Sequence, residues 1–132
     1  MLFGITMGDA AGVGPEIILN TYRQGKLLQP AVVFGDLAVL DDCNRLLGYQ
    51  VPLRSLKSLS EFEPGALNVL DFGLLQADNI VRGAVSRLSG QAARAYVVSA
   101  TRAALSGEID AIVTLPMNKE ATRLTDPEFI GH

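Results

Sequence analysis

The chain has 132 residues, of which 48% are hydrophobic and 19% charged, with a net charge of −3. This composition indicates one globular domain rather than a disordered chain, and no basic stripe points to a nucleic-acid partner. No apolar run approaches the roughly 20 residues of a membrane span, and the single cysteine excludes an internal disulfide, so we expect a soluble, cytoplasmic protein.

Short apolar runs alternate with helical segments along the first half of the chain. The predicted strands occupy residues 3–7, 31–34, 49–55 and 67–71. The predicted helices run from Gly14 or Pro15 to about Gln24 and from Asp36 to about Leu47. Gly25 and Gly48 are expected to end these helices, with Asp36 capping the second one. Residues 56–66 predict a loop.

The second half contains the best helical pattern, which begins at Ser89 and ends at Gly107. Its predicted core-facing stripe comprises Ala93, Tyr96, Val97, Ala100, Ala104 and Leu105. A strand is predicted over 109–115 and a short helix over 118–124, whereas 74–88 show no clear periodicity. Cys43 is expected to be a buried structural thiol. Strands alternating with helices predict an α/β/α layered fold with a largely parallel sheet.

The segment from Gly8 to Glu16 joins the first strand to the first helix. Its glycines permit positive φ and close backbone approach, and a helix start favours an anion. The segment lacks the third glycine of the Rossmann fingerprint and the Gly-Lys-Ser/Thr of a phosphate loop, and Asp9 and Glu16 would oppose a phosphate placed there. A plain structural turn and a ligand loop that uses Asp9, Gly12 and Gly14 are both compatible with this pattern.

A second candidate segment, residues 114–120, follows the last predicted strand. Lys119 offers a cation with three donors and Asn118 a neutral donor and acceptor, which suit a phosphate or a polyhydroxyl acid. The alternative is that Asn118 caps a helix and Lys119 is a solvated surface charge. The only histidine, His132, is the last residue, where a flexible end is the ordinary interpretation.

Three segments together resemble motifs of the 4-hydroxythreonine-4-phosphate dehydrogenase (PdxA) family. They are Gly8-Asp9-Ala10-Ala11-Gly12-Val13-Gly14-Pro15-Glu16, Thr114-Leu115-Pro116-Met117-Asn118-Lys119 and Gly131-His132. Two positions depart from the family pattern: Ala10 replaces a common proline, and Asn118 stands where some members have histidine. The second departure removes a titrating group and is compatible with a paralogue that uses threonate or erythronate phosphates.

The resemblance implies a homodimeric, two-domain enzyme similar to isocitrate and isopropylmalate dehydrogenases, with residues 1–132 as an N-terminal fragment. It implies NAD or NADP, and a divalent metal (Zn, Mg or Co) bound by residues beyond this chain. The implied substrate is a small phosphorylated hydroxy acid, oxidised and decarboxylated in pyridoxal phosphate (vitamin B6) biosynthesis. It places His132 at a substrate-binding position, with Asn118 and Lys119 near the site, and it assigns no catalytic residue or metal ligand here.

Several other functions are compatible with the same sequence. They are a threonate or erythronate 4-phosphate dehydrogenase, a cis-dihydrodiol dehydrogenase, a phosphate acyltransferase on a related fold, and a truncated, non-catalytic binding module. In every dehydrogenase case we expect the turn at 8–16, the turn at 114–120 and His132 to converge at one edge of the sheet. We expect the 132-residue chain alone to show no turnover with NAD and a divalent metal.

Overall fold

The computed structural model of this chain describes residues 1–76 and 87–116. Within these ranges the strands are β1 (Phe3–Thr6), β2 (Ala31–Gly35), β3 (Leu53–Leu56), β4 (Leu67–Asp71) and β5 (Ala111–Thr114). The helices are α1 (Gly14–Arg23), α2 (Leu37–Leu47) and α3 (Arg87–Leu105), with a short 3-10 turn at Leu59–Glu61. Every strand pairing is parallel, in the order β3-β4-β2-β1-β5. No helix in the described ranges is both long and apolar enough to cross a bilayer.

Helices cover both faces of the sheet. The connections from β1 to β2 and from β2 to β3 move in one direction across it, and the connection from β4 to β5 moves in the other. Because parallel crossovers are right-handed, α1 and α2 lie on one face and α3 on the opposite face. In agreement, α1 packs on α2, whereas α3 contacts β1, β2 and β5. The predicted α/β layered fold with a parallel sheet is confirmed.

Glycines follow the helix ends as the sequence predicts, but two strands begin later than predicted, and several strand ends differ by one residue. Gly48 ends α2 with a φ of 68°. Strand β3 begins at Leu53, not at 49, because the Asn44 amide engages both backbone groups of Val51, at 2.9 and 3.2 Å. Those groups are therefore not available to a neighbouring strand. Strand β5 begins at Ala111 rather than 109.

The core-facing side of α3 is only partly the predicted one. Ala93, Tyr96 and Ala100 are buried as expected, but Leu105 is 84% exposed and its assignment to the core is wrong. Leu105 lies nine residues, or two and a half helical turns, after Tyr96 and therefore on the opposite side of the helix. On the other face of the sheet, Cys43 of α2 is 2% exposed, which confirms its predicted burial.

The predicted capping of α2 by the Asp36 side chain is wrong. Asp36 occupies the position before the helix but makes no side-chain capping bond; Asp71 at the end of β4 accepts the Leu37 N–H instead, at 3.1 Å. The Asp36 carboxylate is fully buried and accepts hydrogen bonds from other groups. These donors are the Leu74 N–H at 2.7 Å, the Leu75 N–H at 3.0 Å and the Tyr96 hydroxyl.

Tyr96 is held as a neutral donor in this network. Burial, followed by its hydrogen bond to Asp36 and the charges of Asp36 and Asp71, raises the pKa of its hydroxyl far above the ordinary value. The ring packs edge-on against Phe72, with centroids 5.1 Å apart. Through these contacts α3 is fixed to the carboxyl ends of β2 and β4.

Tyr96→Phe should lower the free energy of unfolding by about 1–3 kcal/mol, because it leaves a buried carboxylate oxygen without its donor. Urea denaturation at neutral pH measures this loss. The matched control is Tyr49→Phe, which removes the hydroxyl of a half-buried tyrosine but keeps the ring beneath the Arg23 guanidinium. Equal losses in the two variants would contradict the role assigned to the Tyr96–Asp36 bond.

Tyr96 should also make stability sensitive to alkaline pH. Its folded-state pKa is raised above the ordinary value of 10.0, so the folded chain keeps a proton that the unfolded chain releases. The resulting stabilisation is complete below about pH 10 and is lost as the pH rises further. Urea denaturation between about pH 8 and pH 11 should show a steeper decline for the wild type than for Tyr96→Phe. If the free energies of unfolding of the two proteins declined in parallel, the role assigned to the raised pKa of Tyr96 would be contradicted.

Candidate functional site

The carboxyl ends of β1 and β5 are joined by backbone hydrogen bonds. The Leu115 N–H donates to the Thr6 carbonyl at 3.2 Å, and the Asp9 N–H donates to the Pro116 carbonyl at 3.1 Å. The turn that follows β1 therefore lies directly against the segment that follows β5. The first segment singled out from the sequence and the described part of the second, residues 114–116, meet at one edge of the sheet. Residues 117–120 of the second segment and the third segment, at His132, lie outside the described residues.

Two glycines of the turn are required by internal packing. Gly8 has a φ of 76°, and a β-carbon there would stand 2.2 Å from the Pro116 carbonyl oxygen. A β-carbon at Gly14 would stand 2.1 Å from the Met7 carbonyl oxygen. Gly12 differs, because it is exposed and its nearest neighbour would be the Asp9 carbonyl oxygen at 3.4 Å. Of the three predicted loop residues, Asp9, Gly12 and Gly14, only Gly12 has a solvent-exposed backbone.

Asp9 stabilises the turn from within. It is 5% exposed, and its Oδ1 accepts the Ala11 N–H at 2.9 Å while its carbonyl accepts the Gly12 N–H at 3.0 Å. This arrangement is an Asx-type turn, in which a carboxylate takes the place of a backbone acceptor. The structure therefore gives Asp9 a conformational role, with one carboxylate oxygen already engaged by the turn.

Thr6 is a polar residue at this edge that the sequence analysis did not single out. It is 1% exposed, and its Oγ1 has no hydrogen-bond partner among residues 1–76 and 87–116. A buried hydroxyl without a partner costs about 1–3 kcal/mol. The available sequence signal was a threonine as the last residue of an otherwise apolar strand, directly before the glycine turn.

Two other regions have features that are typical of binding sites. The neighbouring strands β2 and β4 lead to helices on opposite faces, and ligands commonly bind outside such a divergence; here Asp36 and Asp71 fill it with bonds to the chain's own backbone. A groove of about 430 Å³ lies between α3 and the segment after β3, bordered by Lys57 and Arg102. It contains none of the predicted site residues that the structure describes.

The predicted cofactor and metal stay predictions, since the metal was expected to be bound by residues beyond this chain. In residues 1–76 and 87–116, no three histidine, cysteine, aspartate or glutamate side chains are grouped to hold a metal ion. A β-carbon at Gly8 or Gly14 would meet one of the chain's own carbonyls, so packing alone explains these two glycines, without a pyrophosphate. Asn118, Lys119 and His132 lie outside the described residues, and their predicted roles stay predictions.

Gly8→Ala should destabilise the chain strongly, because it combines an unfavourable φ with a clash against the Pro116 carbonyl. Gly25→Ala is the matched control: its φ is 70°, but nothing lies within 4 Å of the added β-carbon. We expect about 1 kcal/mol of strain for the control and at least about 2 kcal/mol more for Gly8→Ala. Urea denaturation compares the two, and similar losses would contradict the close approach of β1 and β5.

Comparison with known proteins gives consistent matches. The sequence profile of the family described as Pyridoxal phosphate biosynthetic protein PdxA matches residues 26–132. A Cutibacterium acnes protein, provisionally named a D-threonate 4-phosphate dehydrogenase, is 41% identical over 99% of this chain and 39% of its own length. The D-threonate 4-phosphate dehydrogenase of Cupriavidus necator is 35% identical over 99% of this chain and 40% of its own length.

Comparison with solved structures identifies the same family. The crystal structure of 4-hydroxythreonine-4-phosphate dehydrogenase from Klebsiella pneumoniae superimposes with a TM-score of 0.91 at 35% identity, over 99% of this chain and 42% of that one. The present chain thus spans about 40% of the length of its relatives. Since the family profile covers most of the chain and the fold agrees along its whole length, the chain belongs to the PdxA family.

Proposed function

We propose that this chain forms one wall of the substrate site in a dehydrogenase that oxidises a small 4-phosphorylated hydroxy acid. The observation that carries the proposal is the bond between the Asp9 N–H and the Pro116 carbonyl. This bond brings two family motifs to the carboxyl edge of a parallel sheet, where ligands of such sheets bind. Family membership supplies the reaction class, and the geometry supplies the location.

Two substrates fit the proposal. The first is 4-hydroxythreonine-4-phosphate, named for the Klebsiella pneumoniae structure, whose oxidation and decarboxylation would serve pyridoxal phosphate biosynthesis. The second is D-threonate 4-phosphate, named for the Cupriavidus necator relative. Asn118, in place of a histidine found in some members, favours the second. Both compounds carry a phosphate and a hydroxyl, so the same edge would recognise either.

Different residues of this chain would bind different parts of the substrate. Residues 8–16 and 114–116 contain no lysine or arginine, so Lys119 would meet the charge of the phosphate. Asn118 would hydrogen-bond a substrate hydroxyl, and His132 would bind the substrate as a donor or acceptor. Gly12 would let the substrate approach the turn closely, because it is the open glycine of that loop.

The oxidant would be NAD or NADP, which accepts the hydride from the substrate carbon while the protein aligns the two. Packing alone explains Gly8 and Gly14, so we assign no described residue to the cofactor. The implied metal likewise finds no ligand group in the described ranges, and we derive no step through it. A homodimer and a second domain are further parts of the proposal, and only family membership supports them.

Isothermal titration calorimetry of the chain with D-threonate 4-phosphate and with 4-hydroxythreonine-4-phosphate tests the proposal. Lys119→Ala should weaken binding of the phosphorylated ligand about tenfold, as expected for losing a charge-assisted contact. Lys26→Ala is the matched control, since it removes one exposed positive charge just after α1, at the opposite edge of the sheet. Unphosphorylated D-threonate should bind more weakly to the wild type and be indifferent to both substitutions.

Two results would contradict the proposal. One is that the wild-type chain binds neither phosphorylated acid. The other is an equal loss of affinity in Lys119→Ala and Lys26→Ala, which would indicate only a general electrostatic attraction.

A further inference from the structure

We propose that the Thr6 hydroxyl is a substrate-positioning group that reaches the bound phosphorylated hydroxy acid through one ordered water. The inference rests on the proposed function and adds a residue to it. It starts from the observation that Thr6 Oγ1 is buried and has no hydrogen-bond partner in the part of the chain that the structure describes. Native proteins satisfy nearly all such groups, so an unsatisfied one calls for a physical reason.

The sequence offers no stability reason for this hydroxyl. Valine has nearly the same shape as threonine and would fill the position at the end of an apolar strand without an unsatisfied polar atom. The carbonyl of Thr6 is already bonded to the Leu115 N–H, so the backbone at this position is fixed independently of the side chain. The hydroxyl is therefore dispensable for β1 and is explained by a partner that binds later.

The position of Thr6 in the sheet identifies the candidate partner. Thr6 is the register neighbour of Thr114 on β5 and of Phe34 on β2, so the three side chains lie on one face of the sheet. This is the α3 face, because Phe34 lines one groove together with Arg102 and Ala103 of α3. Thr6 thus lies at the strand end from which both family motifs depart.

The route to solvent runs along β5. Thr6 is 1% exposed, which leaves no direct contact with a ligand, whereas its neighbour Thr114 is exposed. A single water that bonds Thr6 Oγ1 and a substrate oxygen near Thr114 would satisfy the hydroxyl. Such a bridge contributes nearly as much as a direct hydrogen bond.

Three variants separate a ligand role from a structural one. Thr6→Val keeps the shape and removes the hydroxyl; Thr6→Ser keeps the hydroxyl and removes the methyl group. Thr101→Val is the matched control, because it removes a hydroxyl from an exposed position on α3. Each is measured by calorimetric titration with D-threonate 4-phosphate and by thermal denaturation without ligand.

We expect Thr6→Val to melt at the wild-type temperature or above, and to bind about tenfold more weakly. Thr6→Ser should show the reverse pattern, with near-wild-type affinity and a lower melting temperature, because buried methyl packing is lost. Thr101→Val should bind like the wild type.

The outcomes distinguish this inference from the function on which it rests. If the wild type binds and Thr6→Val binds equally well, the inference is overturned while the proposed function stands. A fall in the melting temperature of Thr6→Val clearly beyond that of Thr101→Val would show that the hydroxyl has a structural partner, which also overturns it. If the wild type binds no phosphorylated acid at all, both proposals fail together.

Discussion

The end of β1 lies directly against the end of β5, and only a residue without a side chain fits between them. The position of a β-carbon at Gly8, 2.2 Å from the Pro116 carbonyl oxygen, is closer than any side-chain atom can stand to a backbone oxygen. The same oxygen accepts the N–H of the next residue, Asp9, so the missing side chain and the hydrogen bond are two parts of one constraint. The turn after β1 and the start of the segment after β5 share an edge because of this contact.

A second constraint makes the carboxyl ends of β2 and β4 unavailable to a ligand. Strands β2 and β4 send their connections to opposite faces of the sheet, and such a divergence is where α/β proteins commonly bind ligands. Here the Asp36 and Asp71 carboxylates occupy that place and bond the N–H groups of Leu37, Leu74 and Leu75. Paired carboxylates at strand ends are typical of acid–base chemistry, but these two hold the connections of the sheet in position. Among the described residues, the part of the carboxyl edge that these two carboxylates leave unoccupied is the part beside β1 and β5.

Much of the fold could be predicted from the sequence because its signals are local. A glycine with positive φ after a helix, such as Gly48, and a run of apolar residues need only their neighbours to be interpreted. The errors have distant or geometric causes: the partners of Asp36 lie 38 to 60 residues away, and Leu105 shares the spacing of the core stripe but not its helical face. The Thr6 hydroxyl, which lacks a hydrogen-bond partner among the described residues, could not have been identified from the sequence. A missing hydrogen bond is a property of the packed structure. For the site, the sequence identified the segments that meet, but it did not separate Gly12 from the glycines that packing requires.

The charge balance at this edge explains why the turns at 8–16 and 114–116 cannot recognise a phosphate by themselves. The turn from Gly8 to Gly14 holds a carboxylate, Asp9, with one oxygen bonded to the Ala11 N–H, and Glu16 adds a second negative charge one turn later. With no basic residue in 8–16 or 114–116, this surface repels an anion except at the amide groups of the helix start, where the partial positive charge is small. Under the proposed function, a phosphorylated acid bound here would therefore present its neutral hydroxyl groups to the turn and keep both its phosphate and its carboxylate away from it. In that orientation Thr6 and Gly12 would face the hydroxyl groups, and the phosphate would be left to a cation such as Lys119.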